Sequence, residues 1–213
     1  MDKKPNRYFS VRGLTVTAVL AALASVLQLI NFPVPLMPGF IKLDFSELPA
    51  LLAAFALGPV AGVTVCFIKN VVDLMFSGLG DTLGIGPLSN FILGASFVFT
   101  AGIIYRFHRS RKGAVVAALI GAVVMAAISL PSNLWLVYPI YEVAIIPREA
   151  IISSYNAIYE PITSKKLDNL FECILIFNVP FTFIKAMISV IITMFIYKPL
   201  SPLLKGVGKR NTF

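Results

Sequence analysis

Three ionisable side chains stand where a charge is expensive. Lys69 and Asp73 lie in one apolar stretch and Lys185 in another. A lysine at the centre of a bilayer-spanning helix costs about 2.5–3.5 kcal/mol on insertion scales, so each needs a partner or a purpose. Lys69 and Asp73 are four residues apart, share a helix face and are expected to neutralise each other. Lys185 has no acid in its own stretch, so its partner comes from another helix, a backbone carbonyl or a ligand. Uncharged polar groups keep it company. Ser89 and Asn90, Ser132 and Asn133, and Asn178 and Thr182 each fall near one end of a separate apolar stretch. Pro131 and Pro180 beside them free backbone groups for binding. Amides, hydroxyls and an ammonium at one depth describe a polar-lined pocket open to one side of a membrane. The same groups also suit interhelical hydrogen bonds that only hold a bundle together.

Other chemistries lack their residues. No Gly-x-x-x-x-Gly-Lys-Ser/Thr run cradles a phosphate and no His-Glu-x-x-His holds a metal. The single histidine, His108, sits among basic residues, and no nucleophile–base pair is visible. Cys66 falls in an apolar stretch and Cys173 in an expected loop, without metal-ligand spacing; both read as structural thiols.

The elements that position these groups are long apolar helices. Of 213 residues, 58% are hydrophobic and 13% charged, and mean hydropathy is +0.87. A soluble domain of this length carries more polar surface. The sequence predicts an all-α membrane protein, residues 1–213 forming a single integral membrane domain of six transmembrane helices. The expected spans are about 11–31, 46–58, 59–77, 87–106, 113–138 and 174–197. Gly58-Pro59 breaks the short second span from the third. Merging them into one kinked span would leave five and put the termini on opposite sides.

Charge favours six. The net charge of +8 would suggest nucleic acid in a soluble chain, but here the basic residues gather at span ends, so no nucleic-acid partner is expected. Lys3, Lys4, Arg7 and Arg12, then Arg106, Arg109, Arg111 and Lys112, then Lys198, Lys205, Lys209 and Arg210 all fall on one side only if the chain crosses six times. By the positive-inside rule that side is cytoplasmic, with both termini on it. Tyr8, Tyr105 and Tyr197 stand beside these clusters, and Trp135, Tyr138 and Tyr141 mark the outer end of span five. Residues 139–173 form the one long loop, with a possible interfacial helix over Arg148–Tyr159; it is either a functional lid or a plain tether. The basic Met1–Arg12 followed by an apolar run raises a signal peptide, but the run to Ile30 is too long and ends in no small-x-small cleavage site, so it stays as span one. That span carries Ala18, Ala22 and Ser25 on a helical period, with Ala21 adjacent, a pattern that lets helices approach closely.

From about Arg12 to Leu200, in order and spacing, the chain resembles the substrate-binding S components of energy-coupling factor (ECF) vitamin transporters, and among them the riboflavin type. The residues carrying the resemblance are Lys42-Leu43-Asp44-Phe45-Ser46-Glu47-Leu48-Pro49, Gly58-Pro59-Val60-Ala61-Gly62, Lys69-Asn70, Asn90-Phe91-x-x-Gly94, Asn133 ahead of Pro139, and Phe183-Ile184-Lys185. One position departs. The riboflavin type carries Asn three residues before the span-six lysine; here it is Thr182, with Asn178 one turn earlier.

The resemblance implies a six-helix S-component bundle in the cell membrane with an outward-facing riboflavin site. On it the ligand meets Leu43, Asp44, Phe45, Asn90, Asn133, Trp135, Tyr138, Asn178, Thr182 and Lys185, with Phe45, Trp135 and Tyr138 walling the flavin ring. It implies assembly with a transmembrane T component and two ATPase subunits, docked partly through Ala18, Ala22 and Ser25. Riboflavin is then cargo and no cofactor is expected. The alternatives are an S component for another small vitamin or precursor, and a small membrane-integral enzyme.

Overall fold

The computed structural model describes residues 10–78 and 83–205, with side chains described to residue 196. The expectations for Lys3, Lys4, Arg7, Tyr8, Lys209 and Arg210 lie outside the described residues, as do those for the side chains of Tyr197, Lys198 and Lys205.

Helix α1 (Val11–Leu29) starts where the Ser10 hydroxyl accepts the Gly13 N–H at 3.0 Å, and it sets Thr17, Ala21, Ala24, Ser25 and Gln28 inward. Ala18 and Ala22 are exposed, whereas Ser25 is buried and donates to the Ala21 carbonyl. The expected docking stripe therefore splits: its two alanines face outward and its serine belongs to the bundle interior. After α1 come two short antiparallel strands, β1 (Phe32–Pro33) and β2 (Lys42–Leu43), in register Phe32 with Leu43.

Helix α2 (Glu47–Leu57) is 11 residues long, about 16 Å, too short to cross a hydrocarbon core upright. Its residues from Ala50 to Ala56 are all buried, so protein rather than lipid surrounds it and its length need not match the bilayer. The chain reverses at Gly58, whose φ of 115° excludes a side chain at little cost only for glycine. Helix α3 (Pro59–Ser77) then doubles back on α2. A Cβ at Gly62 would stand 2.8 Å from Ala54 Cβ and 3.0 Å from the Ala50 carbonyl oxygen, which is how closely the two helices approach. This reversal replaces the single kinked span that the sequence also allowed.

Helix α4 (Ile85–Phe107) packs over this pair, and α5 (Arg111–Ser132) packs on α4. The path of α5 continues through a π-helical turn, Asn133–Val137, into α6 (Tyr138–Ala144), so the fifth span runs further than 113–138. Among the described residues five segments are long and apolar enough to cross a membrane: Val11–Leu29, Pro59–Ser77, Ile85–Phe107, Arg111–Ala144 and Leu170–Ile196. With the buried α2 they form one all-helical membrane bundle.

Residues 139–173 are largely helical rather than a loop. Helix α7 (Arg148–Thr163) covers and extends the expected Arg148–Tyr159 segment and turns Ile151 and Tyr155 fully inward. These join Val137, Tyr138, Tyr141, Leu167, Leu170, Cys173 and Ile174 in a second apolar cluster, against which Phe40 and Ile41 pack. Cys173 thus lies in the short helix α8 (Leu170–Cys173), buried and free, as Cys66 is. Another π-helical turn, Ile174–Asn178, leads into α9 (Val179–Lys205).

Candidate functional site

The two π turns have a common cause and a common product. Each is followed two residues later by a proline, Pro139 or Pro180, which cannot donate to the helical ladder. The backbone widens instead, so that Tyr138 N–H reaches the Asn133 carbonyl and Val179 N–H the Ile174 carbonyl. Asn133 opens one turn and Asn178 closes the other, and both side chains are buried at the same end of the bundle.

At that end two of the intramembrane charges, Lys69 and Lys185, belong to one cluster. Lys185 Nζ lies 2.8 Å from Asp44 Oδ2, 3.2 Å from Asn90 Oδ1 and 3.4 Å from Glu47 Oε1. Lys69 Nζ lies 3.1 Å from the same Glu47 oxygen and also donates to the Ser46 hydroxyl. Two ammoniums therefore face two carboxylates, and the cluster is neutral. Lys69 and Glu47 are fully buried, so losing either partner alone would strand a charge in low dielectric. Burial by itself would raise the Asp44 carboxyl. The Lys185 ammonium, with Lys69 behind it and hydrogen bonds from Lys185 and Ser46, outweighs that and holds it below the usual carboxylate range. The expected Lys69–Asp73 pair is not made. Glu47, at the start of α2, captures Lys69, and Asp73 instead accepts from Gln28 Nε2 at 2.9 Å.

The neutral polar groups are ordered just as closely. Asn133 Nδ2 donates to the Ser129 carbonyl at 2.7 Å and to its hydroxyl at 3.1 Å, and Thr182 donates to the same hydroxyl at 3.1 Å. Asn178, Tyr138 and Tyr155 close a ring of hydrogen bonds. The amide donates to the Tyr138 oxygen at 3.0 Å, Tyr138 donates to Tyr155, and Tyr155 donates back to Asn178 Oδ1 at 2.6 Å. Burial pushes the Tyr155 hydroxyl well above its ordinary range, which keeps it protonated and a donor. Helix α7 is thereby tied to α6 and to the start of α9.

These groups surround a cavity of about 440 Å³. It lies where α1, α3 and α5 end and α4 and α9 begin, at the end of the bundle opposite Arg12, Arg106, Arg111 and Lys112. Of the residues singled out from sequence, the structure brings Asp44, Asn90, Asn133, Tyr138, Asn178, Thr182 and Lys185 to its wall, with Ser89. Three others stand elsewhere. Leu43 is half-buried in β2, Phe45 packs on Phe32 with ring centroids 5.9 Å apart, and Trp135 is 76% exposed on the outer surface. Trp135 does not wall the cavity because, two residues on from Asn133, it stands on the opposite face of the π turn. Of the expected aromatic belt, among the described residues Trp135 alone faces out; Tyr105, Tyr138 and Tyr141 turn inward.

The wall also holds residues that the sequence argument did not assign to the site. Phe40, Tyr141 and Phe181 supply aromatic surface, while Gln28, Asn31 and Ser77 add polar groups beside Asp73. Phe40 sits 6.3 Å from Tyr141 and 6.5 Å from Tyr138 between ring centroids. Gln28 carried a usable signal: it is an amide late in an apolar helix, on the same face as the small residues Ala21 and Ala24. The arrangement can enclose a flat, partly apolar molecule and satisfy amide-like edges and hydroxyls. Among the described residues no group of His, Cys, Asp and Glu is placed to hold a metal ion.

Known proteins resemble this chain in sequence and fold. A profile of the family described as ECF transporter, substrate-specific component, matches residues 12–197. The riboflavin transporter RibU of Staphylococcus aureus (strain TCH60) is 35% identical over 205 residues, covering 96% of this chain and 98% of that protein. The riboflavin transporter FmnP of Bacillus subtilis (strain 168) is 36% identical over 131 residues, 62% of this chain and 69% of that one. A solved structure of the S component of a bacterial ECF transporter superposes with a TM-score of 0.68 at 33% identity, covering 90% of this chain and 96% of that chain.

Proposed function

The chain belongs to the substrate-specific components of ECF transporters, and from that premise we propose that it captures riboflavin at the outer face of the cell membrane for ATP-driven import. The observation that carries this is the open-mouthed cavity of about 440 Å³ with an aromatic wall, buried amides and a neutral ion cluster. Its volume falls within the range of about 300–1,000 Å³ that encloses small-molecule ligands. Burying about 250 Å² of flavin ring against Phe40, Tyr138, Tyr141 and Phe181 contributes up to about 6 kcal/mol. Asn90, Asn133, Thr182 and Lys185 pair with the ring edge and hydroxyls, each of which would cost about 1–3 kcal/mol if buried alone. The family and its relatives are transporter components, so the membrane-enzyme alternative falls away.

The basic residues Arg12, Arg106, Arg109, Arg111 and Lys112 lie at the end away from the cavity. By the positive-inside rule they face the cytoplasm with both termini, and the cavity faces out. A site on one side is not a path. Transfer inward requires a T component and two ATPase subunits, since this chain has no phosphate-cradling loop. The exposed alanines Ala18 and Ala22 offer the T component a close approach.

Titration of the purified chain with riboflavin, followed by quenching of flavin fluorescence, tests the reading. Saturable quenching is expected, and Lys185→Ala should weaken it by more than about tenfold. Quenching that Lys185→Ala leaves unchanged would remove the anchor role. Displacement of riboflavin by a different vitamin at lower concentration would assign the chain to another cargo.

A further inference from the structure

The ion cluster has a half that faces the cavity and a half behind it. Lys185, Asp44 and Asn90 line the cavity. The side chains of Lys69 and Glu47 are both 0% exposed, and neither is among the residues that line it. Lys69 nevertheless reaches both carboxylates that hold Lys185. By one route it donates to the Ser46 hydroxyl, which donates on to Asp44 Oδ1, and the other oxygen of Asp44 receives Lys185 at 2.8 Å. By the other, Lys69 Nζ and Lys185 Nζ share a single oxygen, Glu47 Oε1, at 3.1 Å and 3.4 Å. The second Glu47 oxygen, Oε2, is buried with no hydrogen-bond partner. Two ammoniums therefore hold this carboxylate, and Lys69 is the nearer. An ammonium has three N–H donors. Lys185 already faces Asp44, Asn90 and Glu47, so it gives a donor to a ligand only if one of the three yields. Glu47 is the most distant of them and has a second cation, so it is the one to yield.

We propose that Lys69 is a positioning residue for the ligand site: by holding Glu47 and Ser46 it keeps Lys185 Nζ at the cavity wall with one N–H left for the ligand. The inference rests on the riboflavin reading. Without Lys69 the Glu47 carboxylate has one cation left. A buried charge in low dielectric draws its remaining partner strongly. Lys185 then turns from the cavity toward Glu47, and the donor it offers the ligand is lost. Lys69 thus acts on the ligand through Lys185 and without touching it.

Wild type, Lys69→Met, Glu47→Gln and the Lys69→Met/Glu47→Gln double variant are each titrated with riboflavin by flavin fluorescence quenching, and each is unfolded thermally without flavin. Both single variants strand one buried charge, so both should unfold at a lower temperature than wild type. Their affinities should part. Lys69→Met should weaken riboflavin by about tenfold or more, whereas Glu47→Gln, which leaves no carboxylate to draw Lys185 aside, should weaken it by less than about threefold. The double variant should return to within about threefold of wild type. Unchanged affinity in Lys69→Met, or affinity that falls in step with Tm in both single variants, would overturn the proposal. Should Lys69→Met fail to fold, the decision passes to Glu47→Gln and the double variant, and a loss of about tenfold in either would overturn it. A wild-type chain that does not bind riboflavin would refute the functional reading and this inference with it, whereas wild-type binding with either of the contrary variant results refutes the inference only.

Discussion

Replacing Lys185 by methionine removes the ammonium and keeps most of the side chain's volume. In the ligand-free protein it strands Asp44, which is 5% exposed and has Lys185 as its one ion-pair partner among the described residues. Glu47 keeps Lys69 at 3.1 Å, so one carboxylate is orphaned rather than two. Asp44 also retains the Ser46 N–H at 2.9 Å and the Ser46 hydroxyl, which soften the loss. Breaking a buried pair from one side costs about 3–5 kcal/mol, and these two bonds place the expected loss near the lower end, about 3 kcal/mol. At about 2–4 °C per kcal/mol for a chain of this size, Tm should fall by roughly 6–12 °C. Adding Asp44→Asn removes the orphaned charge, and the double variant should recover at least about 2 kcal/mol of that loss. The assay is thermal unfolding of the detergent-purified, flavin-free protein, so that lost ligand contacts do not enter the comparison. A Lys185→Met protein as stable as wild type, or a double variant no better than the single, would refute the ion-cluster argument.

Four further outcomes follow from the same geometry. Ala22→Trp should leave riboflavin binding intact and abolish co-purification with the T component; loss of binding and folding would make that face internal. Tyr155→Phe leaves the Tyr138 hydroxyl and Asn178 Oδ1 without their partner, costing about 1–3 kcal/mol, and should lower flavin affinity measurably. Because Asp44 is held below the ordinary carboxylate range, its ion pair is intact above that range and fails only as pH falls beneath it. Flavin affinity should accordingly be flat from about pH 8 to pH 5, and a drop near pH 6 would contradict the assignment. In liposomes the chain alone should bind riboflavin without accumulating it under any proton or sodium gradient. Adding the T component, the ATPase pair and ATP should start uptake.

The parts legible in the sequence were those fixed by local chemistry. Six apolar segments, the Gly58-Pro59 reversal and the placement of Asn90, Asn133, Asn178 and Lys185 at one end follow from hydropathy, turn residues and counting along helices. What escaped was set by contacts distant in the chain. Lys185 meets Asp44 across 141 residues, and no spacing rule reports such a partner. The four-residue spacing of Lys69 and Asp73 was a sound local argument that tertiary packing overrode, because α2 brings Glu47 closer. Trp135 was misplaced for a different reason. Its ring suggested a flavin wall, but helical geometry already put it opposite Asn133, and its exposure follows. Helix α7 was legible in part: the patterned run Arg148–Tyr159 suggested an interfacial helix, and Ile151 and Tyr155, four apart, mark the face that packs inward.

The central claim is that one riboflavin molecule occupies the cavity at the outer end of the bundle. Flavin fluorescence quenching on the purified chain alone tests it most directly, with wild type and a Thr182→Trp variant that fills the wall between α5 and α9. One riboflavin per chain with wild type, and loss of quenching in a variant that remains folded, is the expected result. Unchanged riboflavin binding in that folded variant would contradict the account.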